Sequence, residues 1–399
     1  MTRLISPSRQ VAFDVLYEVA SGAYASDALL SNAVPLDPRD AALAHQIVFG
    51  SLRFQKQLDF LIGYFARRDP SRLDQVVLIA LRAAVFQLRY LERVPAHAAV
   101  HDSVEWIKGK ARSASGLVNA ILRKVNRQPV QWPDRSTRLS CPEWLLASWD
   151  AHFGREAAER IAEAALEEPR RYVRMATADA EADPKHFEPT SVEKCFRLTG
   201  QPPAGMRLQD ISSQAIVPLL ELMPGLTYLD LCAAPGNKTL QALETPLRLA
   251  VACDISTRRI TSIPAVCPRV VLDATQQLPF EPKFDRVLID APCSGTGTLG
   301  RNPEIKWRVE KEDLGRFQSK QVAILREAAN VLAPGGKLVY ATCSLQREEN
   351  EGVIAAALDG VRGLRVETDV WRVPGRHEGD GFYAARLVLE PCWKAQKPC

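Results

Sequence analysis

Two cysteines stand directly after two short apolar runs that are typical of buried β-strands. Residues 289–295 read IDAPCSG and residues 339–345 read VYATCSL, so Cys293 and Cys343 each lie in a turn of small residues. The carboxyl ends of parallel strands are where open α/β sheets bind their ligands, so these two positions are unusual for inert cysteines. A free cysteine is more often a small buried hydrophobe, and three others fit that description: Cys232, Cys253 and Cys267.

Two thiols at one ligand-binding edge indicate covalent catalysis on a pyrimidine. The C5 carbon is a weak nucleophile, and a thiolate that adds to C6 pushes electron density onto C5, which can then take a methyl group. One cysteine would attack and the other would assist release, but spacing alone does not rank them. Asp290 ends the strand before Cys293, where its carboxyl can hydrogen-bond the base and stabilise charge. Three cations are candidates for lowering a thiol pKa: Lys238, Arg301 and Lys306.

A loop of small residues between a strand and a helix indicates a nucleoside cofactor. Residues 229–239 read LDLCAAPGNKT, and the next strand ends at Asp254, about 20 residues on, where an acid can accept both hydroxyls of a ribose. Two later strands also end in an acid: Asp273 and Asp290. The small residues that let the backbone approach a ligand closely are Ala233, Ala234 and Gly236.

The same loop could be an ordinary tight turn, or it could bind NAD in an oxidoreductase. The G-x-G-x-x-G pattern is absent, however, because one glycine stands where three are wanted. No G-x-x-x-x-G-K-[ST] phosphate loop is present either. A nucleoside cofactor without a diphosphate fits better, and we expect S-adenosylmethionine.

The elements that must position these residues change character along the chain. Residues 6–128 have helical periodicity, and Ser6 followed by Pro7 is a typical helix start. From about residue 211, short β-branched runs alternate with helices, which predicts a mostly parallel, doubly wound sheet. We expect three domains: an all-helical one at 1–130, a linker with a small α/β subdomain at 131–210, and a cofactor-binding α/β domain at 211–399.

The predicted elements can be stated residue by residue. Besides the helix that starts at Pro7, helices are expected at 38–53, 55–66, 72–91, 96–107, 113–127, 212–222, 238–244, 311–332 and 348–359. Strands are expected at 226–231, 248–253, 269–272, 285–290, 337–342 and 382–389.

Composition and charge narrow the class of protein. Of the 399 residues, 46% are hydrophobic and 25% are charged, which is typical of globular proteins. No apolar run reaches the roughly 18 residues of a membrane helix, and the N-terminus lacks the features of a secretion signal. We therefore expect a cytoplasmic protein that is monomeric, without a membrane partner and with its nine cysteines reduced. No C-x-x-C pair is present, so no metal is expected.

The net charge of +4 is unevenly distributed. Residues 1–128 carry 17 Lys and Arg against 11 Asp and Glu, a net charge of +6, which leaves −2 for the remainder. A basic N-terminal third favours an anionic partner such as RNA, although solvated helix faces account for the charge equally well.

Together these motifs resemble those of the Nop2/Sun-type RNA cytosine-C5 methyltransferases. LDLCAAPGNKT, IDAPCSGTGTLGRNPEIKW and LVYATCSLQREENEGVI are similar to motifs I, IV and VI of that family, and ISPSRQVAFDVLYEV and GLVNAILRKV are similar to the first and last helices of the NusB-type RNA-binding domain. The resemblance implies a Rossmann-like class I methyltransferase domain, preceded by an all-α NusB-like bundle and a short linker subdomain. It also implies small-subunit ribosomal RNA as substrate, because a NusB-like domain accompanies the ribosomal members.

The resemblance also implies site residues. Cys343, the cysteine of the T-C-S motif, corresponds to the nucleophile, and Cys293 corresponds to the thiol that assists release. Analogy with DNA cytosine methyltransferases, which attack with a P-C cysteine, would reverse these roles. The implied acids are Asp254 for the ribose, Asp273 on the adenine side and Asp290 in motif IV. The implied cofactor loop is Cys232, Ala233, Ala234, Pro235, Gly236, Asn237 and Lys238.

One departure from the family pattern lies in the cofactor loop. The family usually has Gly-Gly before the lysine, whereas this chain has Gly236-Asn237. Asn tolerates a positive φ better than most residues, so we expect the turn to form, with a mild effect on cofactor affinity. A non-catalytic RNA-binding factor on the same fold is the competing interpretation, and loss of Asp290 or of either cysteine would favour it.

Overall fold

The structure is a computed structural model that describes residues 5–32, 36–175, 185–200, 206–281 and 284–391. The chain divides into two compact units. The first comprises residues 1–147, 162–167 and 299–308, and the second comprises residues 148–161, 168–298 and 309–399. The three-domain division expected from the sequence stays a prediction.

The first unit is helical. Its helices are α1 (Pro7–Ala20), α2 (Ala25–Ser31), α3 (Pro38–Arg53), α4 (Gln55–Ala66), α5 (Gln75–Tyr90), α6 (Ala96–Lys110), α7 (Ser115–Leu122) and α8 (Arg135–Arg138). Helix α5 is buried on most sides, as its apolar sequence predicts, so it forms the centre of the bundle. Ser6 occupies the N-cap position of α1, but its hydroxyl donates to Asp102 (2.8 Å) and does not cap the helix.

The chain continues through α9 (Glu143–Phe153) and α10 (Arg155–Ala164) into a small antiparallel sheet of the second unit. Its strands, in the order β1-β3-β2, are β1 (Arg171–Arg174), β2 (Phe187–Pro189) and β3 (Cys195–Leu198). This sheet precedes the elements that carry the predicted motifs.

The second unit is built on a seven-stranded sheet in the order β6-β5-β4-β7-β8-β10-β9. Its strands are β4 (Thr227–Asp230), β5 (Leu249–Asp254), β6 (Arg269–Val271), β7 (Phe284–Asp290), β8 (Leu332–Thr342), β9 (Leu364–Arg372) and β10 (Phe382–Leu389). Strands β4 to β8 pair in parallel, and β10 pairs antiparallel with both β8 and β9. The predicted mostly parallel, Rossmann-like sheet is therefore confirmed.

Further helices of the second unit precede or separate these strands in the chain. They are α11 (Ile211–Gln214), α12 (Asn237–Ala242), α13 (Thr257–Ile260), α14 (Leu314–Asn330) and α15 (Glu351–Leu358). The helix expected at 212–222 is wrong in extent, because α11 ends at Gln214 and a separate 3₁₀ turn forms at Val217–Leu220. Within the described ranges, no helix combines the length and apolar character needed to cross a membrane.

Candidate active site

The predicted site residues follow strands whose carboxyl ends share one edge of the large sheet. Strand β4 pairs with β5 on one side and with β7 on the other, so the strand order reverses at β4. Such a reversal opens a crevice beyond the strand ends, where α/β proteins bind ligands. The loops after β4 and β5 form what we call the cofactor half of the site, and the loops after β7 and β8 form the thiol half.

The loop after β4 turns at Gly236 into helix α12. Gly236 has φ of 105°, a conformation that favours glycine, and a Cβ there would lie 3.0 Å from Ile263 Cγ1. Asn237 begins the helix and is not among the described residues with positive φ. Tolerance of positive φ at Asn237, on which the sequence argument relied, is therefore not needed, because Gly236 alone makes the turn.

Asp254 and Asp273 differ in their surroundings although each lies at the carboxyl end of a parallel strand. Asp254 is 3% exposed and accepts hydrogen bonds from Ala234 N (3.3 Å) and Ser256 N (2.9 Å), so it touches the cofactor loop directly. Asp273 is exposed and accepts from Thr275 N (2.9 Å) and Oγ1 (2.7 Å). These bonds lower the pKa of Asp273.

Asp230, the last residue of β4, was missed by the sequence argument. It is fully buried, and its Oδ2 accepts from Thr239 Oγ1 (2.7 Å) and Tyr228 OH (3.1 Å). Its Oδ1 has no partner among the described residues. Burial raises the pKa of Asp230 to about 6. The signal that could have found it is an acid as the last residue of a strand, the same criterion that singled out Asp254.

Lys238 connects the cofactor loop to the motif that precedes Cys293. Its Nζ donates to Asp290 Oδ2 at 2.6 Å, and it lies 5.1 Å from the centroid of the Phe382 ring. Lys238 is 7% exposed, whereas the Asp290 side chain is 34% exposed, so the carboxylate end of this ion pair stays open to the crevice. The pair brings the implied cofactor lysine and the implied base-recognition acid together.

The two motif cysteines are in direct contact. Cys293 Sγ and Cys343 Sγ are 3.3 Å apart, although 50 residues separate them in the chain. The loops that carry them also join through the backbone, because Gly297 N donates to Cys343 O at 2.9 Å. A Cβ on Gly297 would lie 2.2 Å from Gly381 O, so only glycine allows this approach.

The thiol environment differs from the one expected. Contact with Cys343, followed by burial, raises the pKa of Cys293, so the expectation of a lowered thiol pKa is wrong for this residue. The cation of Lys238 is paired with Asp290. Lys306 is fully buried in the first unit, where it donates to Arg53 O (2.7 Å) and Ser140 O (2.8 Å), and burial lowers its pKa to about 7.

Two consecutive residues that the sequence argument did not single out, Glu349 and Asn350, hold the thiol half together. Asn350 accepts from Thr342 Oγ1 (2.5 Å) and donates to Ser344 O (3.0 Å), so it brackets Cys343 on both sides. Glu349 accepts from Ser344 Oγ (2.5 Å). The available signal was a run of acids and amides, QREENE, directly after the cysteine motif.

The residues around the strand ends fit a cationic nucleoside. Buried carboxylates at Asp230 and Asp254 offer acceptors, and Gly236 leaves room for close backbone approach. Among the residues described, no group of three or more His, Cys, Asp or Glu is arranged to hold a metal ion.

Comparison with protein families matches both parts of the chain. Residues 217–388 match a family described as 16S rRNA methyltransferase RsmB/F, and residues 6–127 match the NusB family. A relative from Cronobacter sakazakii, named ribosomal RNA small subunit methyltransferase B, is 32% identical over 393 residues, which cover 88% of this chain and 91% of that protein.

Solved structures show the same fold. The crystal structure of PH0851 superposes with a TM-score of 0.81 at 21% identity, covering 97% of this chain and 100% of that one. A methyltransferase homolog protein from Pyrococcus horikoshii has a TM-score of 0.55 at 26% identity, covering 65% of this chain and 99% of that one.

Proposed function

We propose that this chain, which belongs to the 16S rRNA methyltransferase RsmB/F family, methylates C5 of one cytosine in small-subunit ribosomal RNA. The observation that carries the proposal is the contact of Cys293 with Cys343 beyond the ends of adjacent strands. Cys293 lies three residues after Asp290 in the chain. Two thiols in contact beside a paired carboxylate suit addition to a pyrimidine ring. They have no evident use in methylation of a base nitrogen or a ribose hydroxyl, which are nucleophiles already.

The cofactor in this proposal is S-adenosylmethionine, which supplies an electrophilic methyl group. The loop from Cys232 to Lys238 would hold it, with Asp254 accepting from the ribose and Asp273 lying on the adenine side. Asp230 adds a buried acceptor that suits the positive charge of the ligand. The acids of the cofactor half thus match the charge of this cofactor better than that of a dinucleotide.

The chain's own residues would perform the covalent steps. The Cys343 thiolate would form a bond to C6, and the electron pair of the C5–C6 double bond would bond C5 to the methyl group. The methyl group's former bond to the sulfonium sulfur would break, and its electron pair would stay on that sulfur as a neutral thioether. Asp290, held by Lys238, would accept a hydrogen bond from the exocyclic amine of the cytosine and so orient the ring for addition. Loss of the C5 proton to a base then restores the double bond and expels Cys343 as thiolate, and Cys293 assists this elimination.

The first unit would supply affinity for the RNA. Residues 1–128 carry a net charge of +6 and nearly coincide with the match to the NusB family. Phosphate contacts release counterions, so RNA affinity should fall steeply with salt. We propose that the enzyme acts in the cytoplasm, where this substrate is made, and a monomeric state stays a prediction.

The proposal is tested by identifying the product. Three substrates are prepared from a strain that lacks the enzyme: deproteinised small-subunit rRNA, intact small subunits and transfer RNA. Each is incubated separately with the purified chain and S-adenosylmethionine. Bisulfite sequencing should find one new 5-methylcytosine in the ribosomal RNA. Incorporation of methyl groups without a bisulfite-resistant cytosine would contradict C5 as the target, and methylation of transfer RNA alone would contradict the substrate.

A further inference from the structure

Glu349 is a fully buried carboxylate without a cationic partner among the described residues. It ends the 3₁₀ turn Arg347–Glu349 that follows β8. Its oxygens accept from Ser294 N (2.8 Å), Ser294 Oγ, Ser344 Oγ (2.5 Å) and Gln321 Nε2 (3.0 Å). Burial of a charge that only neutral donors satisfy costs desolvation free energy, so a carboxylate at this position indicates a specific role.

The donors to Glu349 lie beside both motif cysteines. Ser294 directly follows Cys293, and Ser344 directly follows Cys343. One carboxylate therefore ties together the residues after the two thiols, and the Ser294 and Ser344 hydroxyls are themselves 3.1 Å apart. The thiols in turn lie 3.3 Å from each other.

The third donor fixes the other side of the Cys293 loop. Gln321, on helix α14, is fully buried and donates through the same Nε2 to Pro292 O (3.0 Å) and to Glu349. Pro292 directly precedes Cys293, so Gln321 and Glu349 hold the backbone on both sides of this cysteine. Neither side chain has a role in the reaction proposed above.

We propose that Glu349 is a positioning residue for the thiol pair, which holds the Cys293 and Cys343 loops in contact and places its carboxylate against the Cys293 loop. This inference rests on the proposed function and adds to it. Two anions in such close contact would repel strongly, and a carboxylate bonded twice to Ser294 adds to the cost of an anion at Cys293.

The electrostatics around Cys293 agree with this assignment. The negative charge of Glu349 contributes to the raised pKa of Cys293, after contact with Cys343 and burial. Among the described residues, Tyr340 of β8 also faces both groups, and its hydroxyl donates to Glu349 O at 2.6 Å. From helix α14, the neutral amide of Gln321 donates to Glu349.

The test compares Glu349→Gln with Glu349→Asp in the full-length protein, and uses Glu312→Gln, at an exposed carboxylate of the same unit, as a control. The first readout is the rate of alkylation of each thiol by iodoacetamide against pH, assigned by mass spectrometry without cofactor or RNA. The second is kcat and KM for methylation of small-subunit rRNA.

Glu349→Gln removes the charge, so the alkylation profile of Cys293 should shift to lower pH, with a rate at pH 7 at least about threefold higher. Methylation kcat should fall about 10- to 100-fold, with KM for RNA changed less than about threefold. Glu349→Asp keeps the charge but shortens the reach, so kcat should fall while the Cys293 profile stays in place. The control should match the unchanged enzyme in both readouts.

An unchanged Cys293 profile in Glu349→Gln, with activity lost in proportion to thermal stability, would overturn the proposal and reduce Glu349 to a structural role. Because alkylation is measured without substrate, this result does not depend on the reaction. Formation of 5-methylcytosine by the unchanged enzyme would then leave the proposed function standing. A correctly shifted profile in an enzyme that forms another product would instead overturn the proposed function alone.

Discussion

The two halves of the candidate site treat their buried carboxylates differently. In the cofactor half, Asp230 keeps one oxygen without a partner among the described residues. In the thiol half, Glu349 accepts four hydrogen bonds from its own chain. An unpaired buried polar group costs about 1–3 kcal/mol, so it persists where a ligand completes it. The thiol half is thus assembled by the chain itself, whereas we propose that a bound ligand completes the cofactor half.

Substitutions in the two halves should therefore have different effects on the reaction. Changes in the thiol half should alter the rate of reaction or the fate of the covalent adduct while cofactor affinity stays constant. Changes in the cofactor half should weaken cofactor binding and leave the adduct chemistry intact. A substitution in the thiol half that weakened cofactor binding, or one in the cofactor half that altered the covalent adduct, would contradict this difference.

The largest effect is expected from Cys343→Ser, which should lower methylation by more than about 10³-fold, because a serine hydroxyl is too weakly acidic to supply the attacking anion. Cys293→Ser should behave differently, because attack stays possible while release is impaired. A covalent protein–RNA complex should accumulate in that variant, survive a denaturing gel and be absent from the double variant. Cofactor affinity, measured by calorimetry, should be unchanged in both.

The reverse pattern, with RNA trapped by Cys343→Ser and none by Cys293→Ser, would exchange the roles of the two thiols. If both variants kept full activity, the covalent mechanism would be refuted, and the contact between the cysteines would be packing alone.

A smaller effect is expected in the cofactor half from Asp254→Ala. Loss of a buried charged acceptor for the ribose should cost about 1.5–3 kcal/mol, which is about tenfold to a hundredfold in the Kd for S-adenosylmethionine. Asp273→Ala is the matched comparison, and because Asp273 is exposed its effect should be smaller. Calorimetry on both variants, with NAD as the control ligand, measures this difference. An unchanged Kd in Asp254→Ala would remove that residue from the site.

The sequence predicted those elements whose local pattern agrees with their packing. Strand β7 contains the buried apolar run VLI at 287–289 between parallel neighbours, and its expected position at 285–290 is close to the observed Phe284–Asp290. Strand β9 was missed because its sequence LRVETDVWR is mostly exposed and has no simple alternation of buried residues. Helix 212–222 was overextended because α11 ends at Gln214 and a new 3₁₀ turn, with Pro218 near its start, forms at Val217–Leu220.

The sequence predicted those site residues that lie at the carboxyl ends of strands. Cysteines and acids at those ends could be read directly, since one edge of a parallel sheet gathers them. Their partners could not, because Ser294 and Glu349 are 55 residues apart and meet only through the pairing of β7 with β8. The direction of the Cys293 pKa shift also depended on that contact.

The protonation of Asp230 provides a further test of the difference between the two halves. Burial raises its pKa to about 6, whereas an unfolded Asp titrates near 4. Between these values the folded protein holds a proton that the unfolded chain has lost. The group therefore stabilises the ligand-free fold below about pH 4, and this contribution, about 3 kcal/mol, is lost as pH rises through about 6.

Asp230→Asn should remove that dependence, because an amide does not titrate. In urea unfolding of the ligand-free protein, the stability of the unchanged enzyme relative to the variant should fall by about 2 kcal/mol between pH 4 and pH 7. Cofactor affinity should show the opposite trend. A cationic ligand prefers the ionised carboxylate, so the Kd of the unchanged enzyme should decrease up to about tenfold as pH rises through 6, and that of Asp230→Asn should not. If both proteins showed the same pH dependence of unfolding and binding, the open oxygen of Asp230 would not belong to the cofactor, and the contrast between the two halves would lose its basis.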